Sequence, residues 1–527
     1  YGCTSLQTVS IPDSVTSIGN YAFRDCTNLS GVALPRHLTV LGSRAFGYCK
    51  SIKSIEIPKS LQEASAPFGD SGLEKATFEA GTTSVIPNLF DGAEKLYDVT
   101  LLDTMTAIGY SAFYGCTSLQ TVSIPDSVTS IRNYAFYGCT SLKSFQIPPN
   151  LEAMGTAVFQ NCSSLEAVVW NDTYPVILDN TFSGCSSLKS FSIPDCVNTI
   201  GSGAFYGCTS LSGVTGGKNV KHIFSEAFRN CTSLKSITLT NALSDIGTSA
   251  FQGCVALTAI EIPDSVSSIG AYIFDGCEAL KDIKLGTGLT EIPKQAFSNC
   301  SVLESITLSY RVEKIGDNAF LNDVKFNSVT IPRRTTTIST NAFSYPDRLT
   351  VYGVAGTYAE TYAGQIGAKF VAISRPATSV SLYQTVLTMN RNTTTQLVAT
   401  ISPADFTDEV AWKTSDQSVA TVSDVGVVKA VGVGECTVSV VAGNVRATCK
   451  ISVVQPVTSI SLNKSTLSMD AGQTYQLTAS VYPSNAANRN VEWSSSDTGI
   501  ATVDENGLVT ALKKGTAVIT AKARDGR

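Results

Sequence analysis

The sequence predicts a solenoid of stacked coils built on a parallel β-sheet, followed by all-β sandwiches. Three observations predict it. A phenylalanine landmark recurs every 23 residues, at Phe113, Phe136, Phe159, Phe182, Phe205, Phe228, Phe251, Phe274, Phe297, Phe320 and Phe343. Cysteine keeps the same step at Cys116, Cys139, Cys162, Cys185, Cys208, Cys231, Cys254, Cys277 and Cys300. Beyond residue 376 two segments align with each other at an offset of 81 residues, Trp412 with Trp493 and Gly434 with Gly515. A fixed period in this range marks an array in which each unit covers the open apolar end of its neighbour.

The unit is clearest at residues 116–138, CTSLQTVSIPDSVTSIRNYAFYG. Leu119, Val122 and Ile124 are apolar while Thr121 and Ser123 are polar, which is strand-like alternation. Pro125 has no N–H for a ladder and ends the strand. Val128 and Ile131 point inward from a second short run. Most units continue with glycine, such as Gly109, Gly201, Gly247 and Gly270, where a tight turn is expected. Arg132 takes that place here, so the turn does not strictly need a positive φ. Ala135 and Phe136 close the coil. Strands stacked about 4.8 Å apart over roughly fifteen coils give an arc of about 70 Å with one continuous parallel sheet.

The pattern with Pro125, Ala135-Phe136 and Cys139 closely resembles the BspA-type leucine-rich repeat of bacterial surface proteins, over residues 1–373. The resemblance implies a leucine-rich repeat solenoid, surface exposure, and adhesion to host proteins or other cells. It carries over no binding residue. Residues 349–373 resemble the C-terminal cap of such arrays, with a short strand, a helical segment near 357–366 and a final strand at 369–373. Residues 64–109 are degenerate. Phe68 and Phe90 follow at 22-residue steps, and Ser71 and Ala93 replace cysteine. Such shortened coils are expected to change curvature locally or flatten a turn.

Ser374-Arg375-Pro376 reads as a linker. The stretches TSISLNKSTLSM, VEWSSSD and IATVDENGLVTALKKGTAVITA resemble bacterial immunoglobulin-like domains of group 2, expected at 376–454 and 456–527. The resemblance implies stalk modules, with Trp412 and Trp493 as core residues. The second segment stops at Gly526-Arg527, where the first continues with VRATCKISVV, so it is expected to lack its last strand and leave an exposed edge. Residues 1–18 are identical to 114–131, and the chain begins mid-unit, as an excised fragment would.

Composition narrows the function classes. The net charge is −5 with 15% charged residues, and no basic block suggests nucleic acid or an anionic membrane. No apolar run approaches the ~20 residues of a membrane span. Twelve of the 15 cysteines share one repeat position, which reads as a reduced core ladder rather than a disulfide framework. Cys196 lies off the ladder. Cys436 and Cys449 flank a predicted hairpin in the same inward phase, either bonded across neighbouring strands or packed as thiols. No metal or cofactor is expected, since the only histidines are His37 and His222, and Asp405, Asp408 and Glu409 fit no calcium loop. Those histidines sit many coils apart and cannot share a catalytic site.

Two sets of residues are candidates for binding. Trp170, Asn171, Asp172 and Tyr174 interrupt the consensus. They form either a sugar-stacking shelf or a variant turn over a packed tryptophan. Tyr114, Tyr137 and Tyr206 follow the landmark phenylalanine, with Tyr21, Tyr134 and Tyr272 two residues before it. They are either interface anchors or tolerated surface variation. The sheet face carries small polar pairs such as Thr121/Ser123, Ser144/Gln146 and Ser190/Ser192. The resulting expectation is a non-catalytic, secreted or cell-surface bacterial adhesin, whose partner is a host extracellular-matrix or surface protein, or a glycan. The alternative is a structural spacer or display region of a larger exported enzyme or carbohydrate-binding protein.

Overall fold

The computed structural model describes residues 1–524. Contacts divide the chain into two compact units, Tyr1–Ser374 and the residues from Arg375 onward.

The first unit is a solenoid of parallel strands. The expected single sheet is in fact two ladders. One is built from short strands such as Ser54–Ile57, Ser190–Ile193 and Ser305–Thr307, whose outward residues are exposed and whose inward residues are buried. The other is built from two-residue strands, as where Ser130–Ile131 pairs with Ala107–Ile108 and Ala153–Met154. Between them the proline makes a turn: the Val128 N–H donates to the Pro125 carbonyl at 3.0 Å, and the Val197 N–H to Pro194 at 3.1 Å. The turn redirects the chain, so the two runs cannot join into one sheet. Both ladders are interrupted along the stack, and residues 121–124 of the template unit lie outside the paired strands.

The third side of each coil is the phenylalanine column. The rings stack without a gap from Phe23 to Phe343, and Phe113 and Phe136 lie 5.2 Å apart and 6° from parallel. Backbone bonds follow the column, such as Phe113 N–H to Ala135 O at 2.8 Å. This tight bend puts left-handed residues on both sides of the ring, for example Tyr134 at φ 58° and Gly138 at φ 68°. The glycines singled out in the sequence have a different task. Gly109 and Gly270 are not left-handed. A Cβ on Gly109 would lie 2.6 Å from the Pro87 nitrogen, and one on Gly270 2.2 Å from the Thr248 nitrogen. They allow coils to approach, rather than the chain to turn.

The 22-residue steps have a local cost. Val40 pairs with Glu63, but Ser54 pairs with Lys75, so one residue is lost on each side of Phe68. The second ladder stops at Ala64 and resumes at Ser84. Ring tilt rises to 25° between Phe68 and Phe90. The array closes with the helix Tyr358–Ile366, which ends at Gly367 in the left-handed region (φ 74°), and the strand Lys369–Ala372. Tyr362 is fully buried against Phe343, and its hydroxyl donates to Ser339 O at 3.1 Å.

The second unit is all-β and mostly antiparallel. Gly434–Ala442 pairs with Val445–Val454 and Val410–Thr414, and Val386–Asn390 joins the sheet parallel to Val445–Val454. Trp412 is buried against Gly426, whose absent Cβ would lie 2.7 Å from the indole. Gly507 does the same for the half-buried Trp493. Cys436 faces Ile451 and Cys449 faces Val438, so the two sit diagonally on neighbouring strands as buried free thiols. Asp408 accepts from the Ala377 N–H at 2.6 Å, and Asp405 pairs with Arg375 at 2.6 Å. In the second sandwich Val491–Ser495 pairs with Ile519–Ala523. The end at Gly526-Arg527 lies outside the described residues.

Candidate binding surface

The coil around Trp170 is where the ladders part. Its first strand, Ala167–Val169, pairs only with Ser144–Gln146 in the coil before. Its second, Val176–Ile177, pairs only with Thr199–Ile200 in the coil after. The Tyr174 side chain explains the second break: its hydroxyl accepts the Met154 N–H at 3.1 Å. Trp170 is 6% exposed and edge-on to both Phe182 and Phe191, with centroids 6.0 and 6.1 Å away. Its indole N–H donates to Tyr174 O at 3.2 Å. Burial therefore removes Trp170 from the expected sugar shelf, because no ring face is left for a ligand.

Its neighbours have other roles. Asn171 accepts the Tyr174 N–H at 2.8 Å in a side-chain-closed turn and donates to Pro148 O at 2.8 Å. Asp172 is exposed at the tip of that turn. Tyr174 is half-buried and lines a shallow open groove with Pro149, Asn150, Glu152, Thr173 and Pro175. The groove follows from the parted ladder. It offers one aromatic ring, two prolines and three polar side chains.

A second feature lies on the phenylalanine side, two and three coils earlier. Tyr114 and Tyr137 stack face to face at 4.5 Å and 2°. Tyr134 meets Tyr137 edge-on at 6.0 Å and Tyr110 at 5.7 Å. The Asn161 amide donates to the Tyr137 hydroxyl at 2.8 Å. Partial burial, with Tyr137 alongside, holds the Tyr114 hydroxyl above its ordinary pKa. Four tyrosines thus form one cluster, with Tyr110 47% exposed at its edge. Tyr110 escaped the sequence reading because its repeat position holds no other aromatic. Tyr206 stands apart, with Arg229 5.7 Å from its ring centre and that arginine paired to Glu226.

His222 has partners that the sequence hid, because they lie one full coil away. Its Nδ1 is 2.8 Å from Asp245 Oδ2, and the Ser244 hydroxyl donates to the same oxygen at 2.6 Å. A hydrolytic triad needs serine at one imidazole nitrogen and aspartate at the other. Here the imidazole and the hydroxyl converge on one carboxylate oxygen, and Ser244 and Asp245 both lie at the same ring nitrogen, Nδ1, which makes a surface clasp between coils. Among the described residues no group of three His, Cys, Asp or Glu is placed to hold a metal, and no helix is long and apolar enough to cross a membrane.

Comparison with known proteins adds the family. The model of the BspA type leucine rich repeat region matches overlapping stretches that together span residues 1–350. This chain belongs to the BspA-type leucine-rich repeat family. The BspA-type array is followed by two matches to the bacterial Ig-like domain of group 2, at 376–453 and 456–527. An uncharacterised protein of Clostridium acetobutylicum is 35% identical over 155 residues, which are 29% of this chain and 16% of that protein. An Ig-like virion protein of Serratia phage KSP90 is 36% identical over 137 residues, 24% of this chain and 53% of its own length. This BspA-type chain thus spans only 16% and 53% of these relatives' lengths. A leucine-rich repeat protein from Bacteroides ovatus shares the fold, with TM-score 0.51 at 24% identity over 68% of this chain and 88% of its own.

Proposed function

We propose that this chain is a secreted or surface-displayed bacterial binding protein, whose repeat array makes the contact and whose Ig-like domains form the stalk. The observation that carries the reading is the tyrosine cluster of Tyr110, Tyr114, Tyr134 and Tyr137, with Tyr110 exposed and the other three half-buried on a stacked, pre-ordered scaffold. Tyrosine supplies contact area at low entropic cost and recurs at binding hot spots. The groove beside Tyr174 supports it as a second contact. The partner class is a host surface or matrix protein, or a glycan.

A second reading has its own support. A 3-O-alpha-D-galactosyl-alpha-L-arabinofuranosidase of Bifidobacterium longum is 50% identical over 54 residues, 10% of this chain and 5% of that enzyme. That likeness favours a display or spacer role within a larger exported enzyme. Binding of residues 1–373 and 376–527, assayed separately against fibronectin, fibrinogen, mucin and a glycan array, distinguishes the two. Saturable binding by 1–373, lost in Tyr137→Ala, supports the adhesive array. Silence from 1–373 supports the spacer.

A further inference from the structure

The cysteine ladder ends in a carboxyl group. One step beyond Cys254, Cys277 and Cys300 stands Asp323, which is 1% exposed. Its Oδ1 accepts the Cys300 N–H at 2.8 Å, while its Oδ2 is enclosed with no partner. At each step from Cys116 to Cys300 the ladder side chain is a donor. The Cys277 thiol donates to Phe251 O at 3.2 Å, and the Cys300 thiol to Phe274 O at 3.3 Å. The same spacing sets the Phe297 carbonyl before Asp323. A carboxylate at this position would face another acceptor without a cation to balance it, which is costly inside a protein.

The surrounding charges do not relieve it. The Asp275 carboxylate has the same sign and is already held by Gln252, Ser298 and Asn299. The Cys300 thiol is kept neutral by burial. Lys325 points to solvent, and on the far side the turn Pro346–Arg348 carries Asp347 and Arg348, both exposed.

We propose that Asp323 is a neutral acid in the folded array, that its Oδ2–H takes over the thiol's bond to the Phe297 carbonyl, and that loss of this proton loosens the last coils before the cap. Burial, the larger cause, and Asp275 together push its pKa from 3.8 to about 8. Below pH 3.8 the proton is held in both the folded and the unfolded chain. Between pH 3.8 and about 8 only the folded chain keeps it, so stability falls as pH rises. Above that range no further loss accrues.

The test is hydrogen exchange at the amides of residues 297–330 in the full chain, corrected for intrinsic rates. From pH 5 to pH 7 the opening equilibrium of the wild type should rise about a hundredfold relative to Asp323→Asn, which cannot ionise. Asp323→Cys, which restores the ladder thiol, should lose the dependence as well. An identical pH dependence in wild type and Asp323→Asn overturns the proposal. A second measurement needs no variant to fold: the infrared carbonyl band of a protonated carboxylic acid should be present at pH 6 and gone by pH 10. Absence of that band at pH 6 also overturns it.

Discussion

The Cys139 thiol donates to the Phe113 carbonyl at 3.1 Å, and that bond ties two coils together from inside the core. It recurs from Cys116 on Phe90 to Cys300 on Phe274. The bond explains why a reactive residue type fills a dry position: the thiol is small, apolar and still able to donate.

Ten ladder thiols are held above their ordinary pKa by burial, with Cys49, Cys162 and Cys254 pushed up to about 12. Above pH 9 the unfolded chain releases these protons and the folded chain does not. Each thiol then withdraws ~1.4 kcal/mol per pH unit until its folded pKa is reached. Circular dichroism should show the array unfolding steeply above pH 9. A signal unchanged to pH 11 contradicts this.

Thiol-specific reagents should report the same ladder at neutral pH. Cys3 is exposed and Cys196 half-buried, and only these should label in the native array. The rest should label after denaturation. Rapid native labelling of Cys139 or Cys208 would show that the core is not closed.

Trp170→Ala and Tyr137→Ala should separate packing from binding. The first empties a buried site and should cost ~3–5 kcal/mol with no selective change in partner affinity. The second removes a half-exposed ring from the cluster, should cost ~1 kcal/mol, and should lower affinity. Thermal melts paired with binding isotherms check both. Equal stability losses in the two variants would mean that the cluster is merely packing.

Two glycines should respond in opposite ways. Gly270→Ala forces a Cβ to within 2.2 Å of the Thr248 backbone and should destabilise by ~2–4 kcal/mol. Gly138 is left-handed, but a Cβ there meets nothing closer than 3.8 Å, and Asn161 holds the equivalent turn at φ 63°. Gly138→Asn should therefore change the melting temperature little.

The sequence shows most of the array, because a 23-residue period fixes which side chains face inward in every coil. Phe136, Cys139 and Leu142 are buried as their spacing requires. What it could not show is which coil face each tyrosine shares with its neighbours. Tyr110 and Tyr134 meet because one sits three residues before its phenylalanine and the other two. Trp170 was ambiguous for a similar reason: an aromatic at a variant position has the same letters whether it stacks on a ligand or on Phe182. Asp323 was missed because its proton, not its size, suits the ladder.

The parted coil at Trp170 has a mechanical meaning. Its strands share their bonds between neighbours, backward through Ala167–Val169 and forward through Val176–Ile177, like a lap joint in a beam. The same division occurs at Asp282–Lys284 and Glu291–Ile292. Across the joint at Trp170, the Phe159 N–H still reaches Thr181 O at 3.0 Å. Tension along the axis therefore crosses each side of such a coil through a single strand ladder beside the phenylalanine column. A pulled array should part at coils divided in this way, while segments joined by both ladders stay wound.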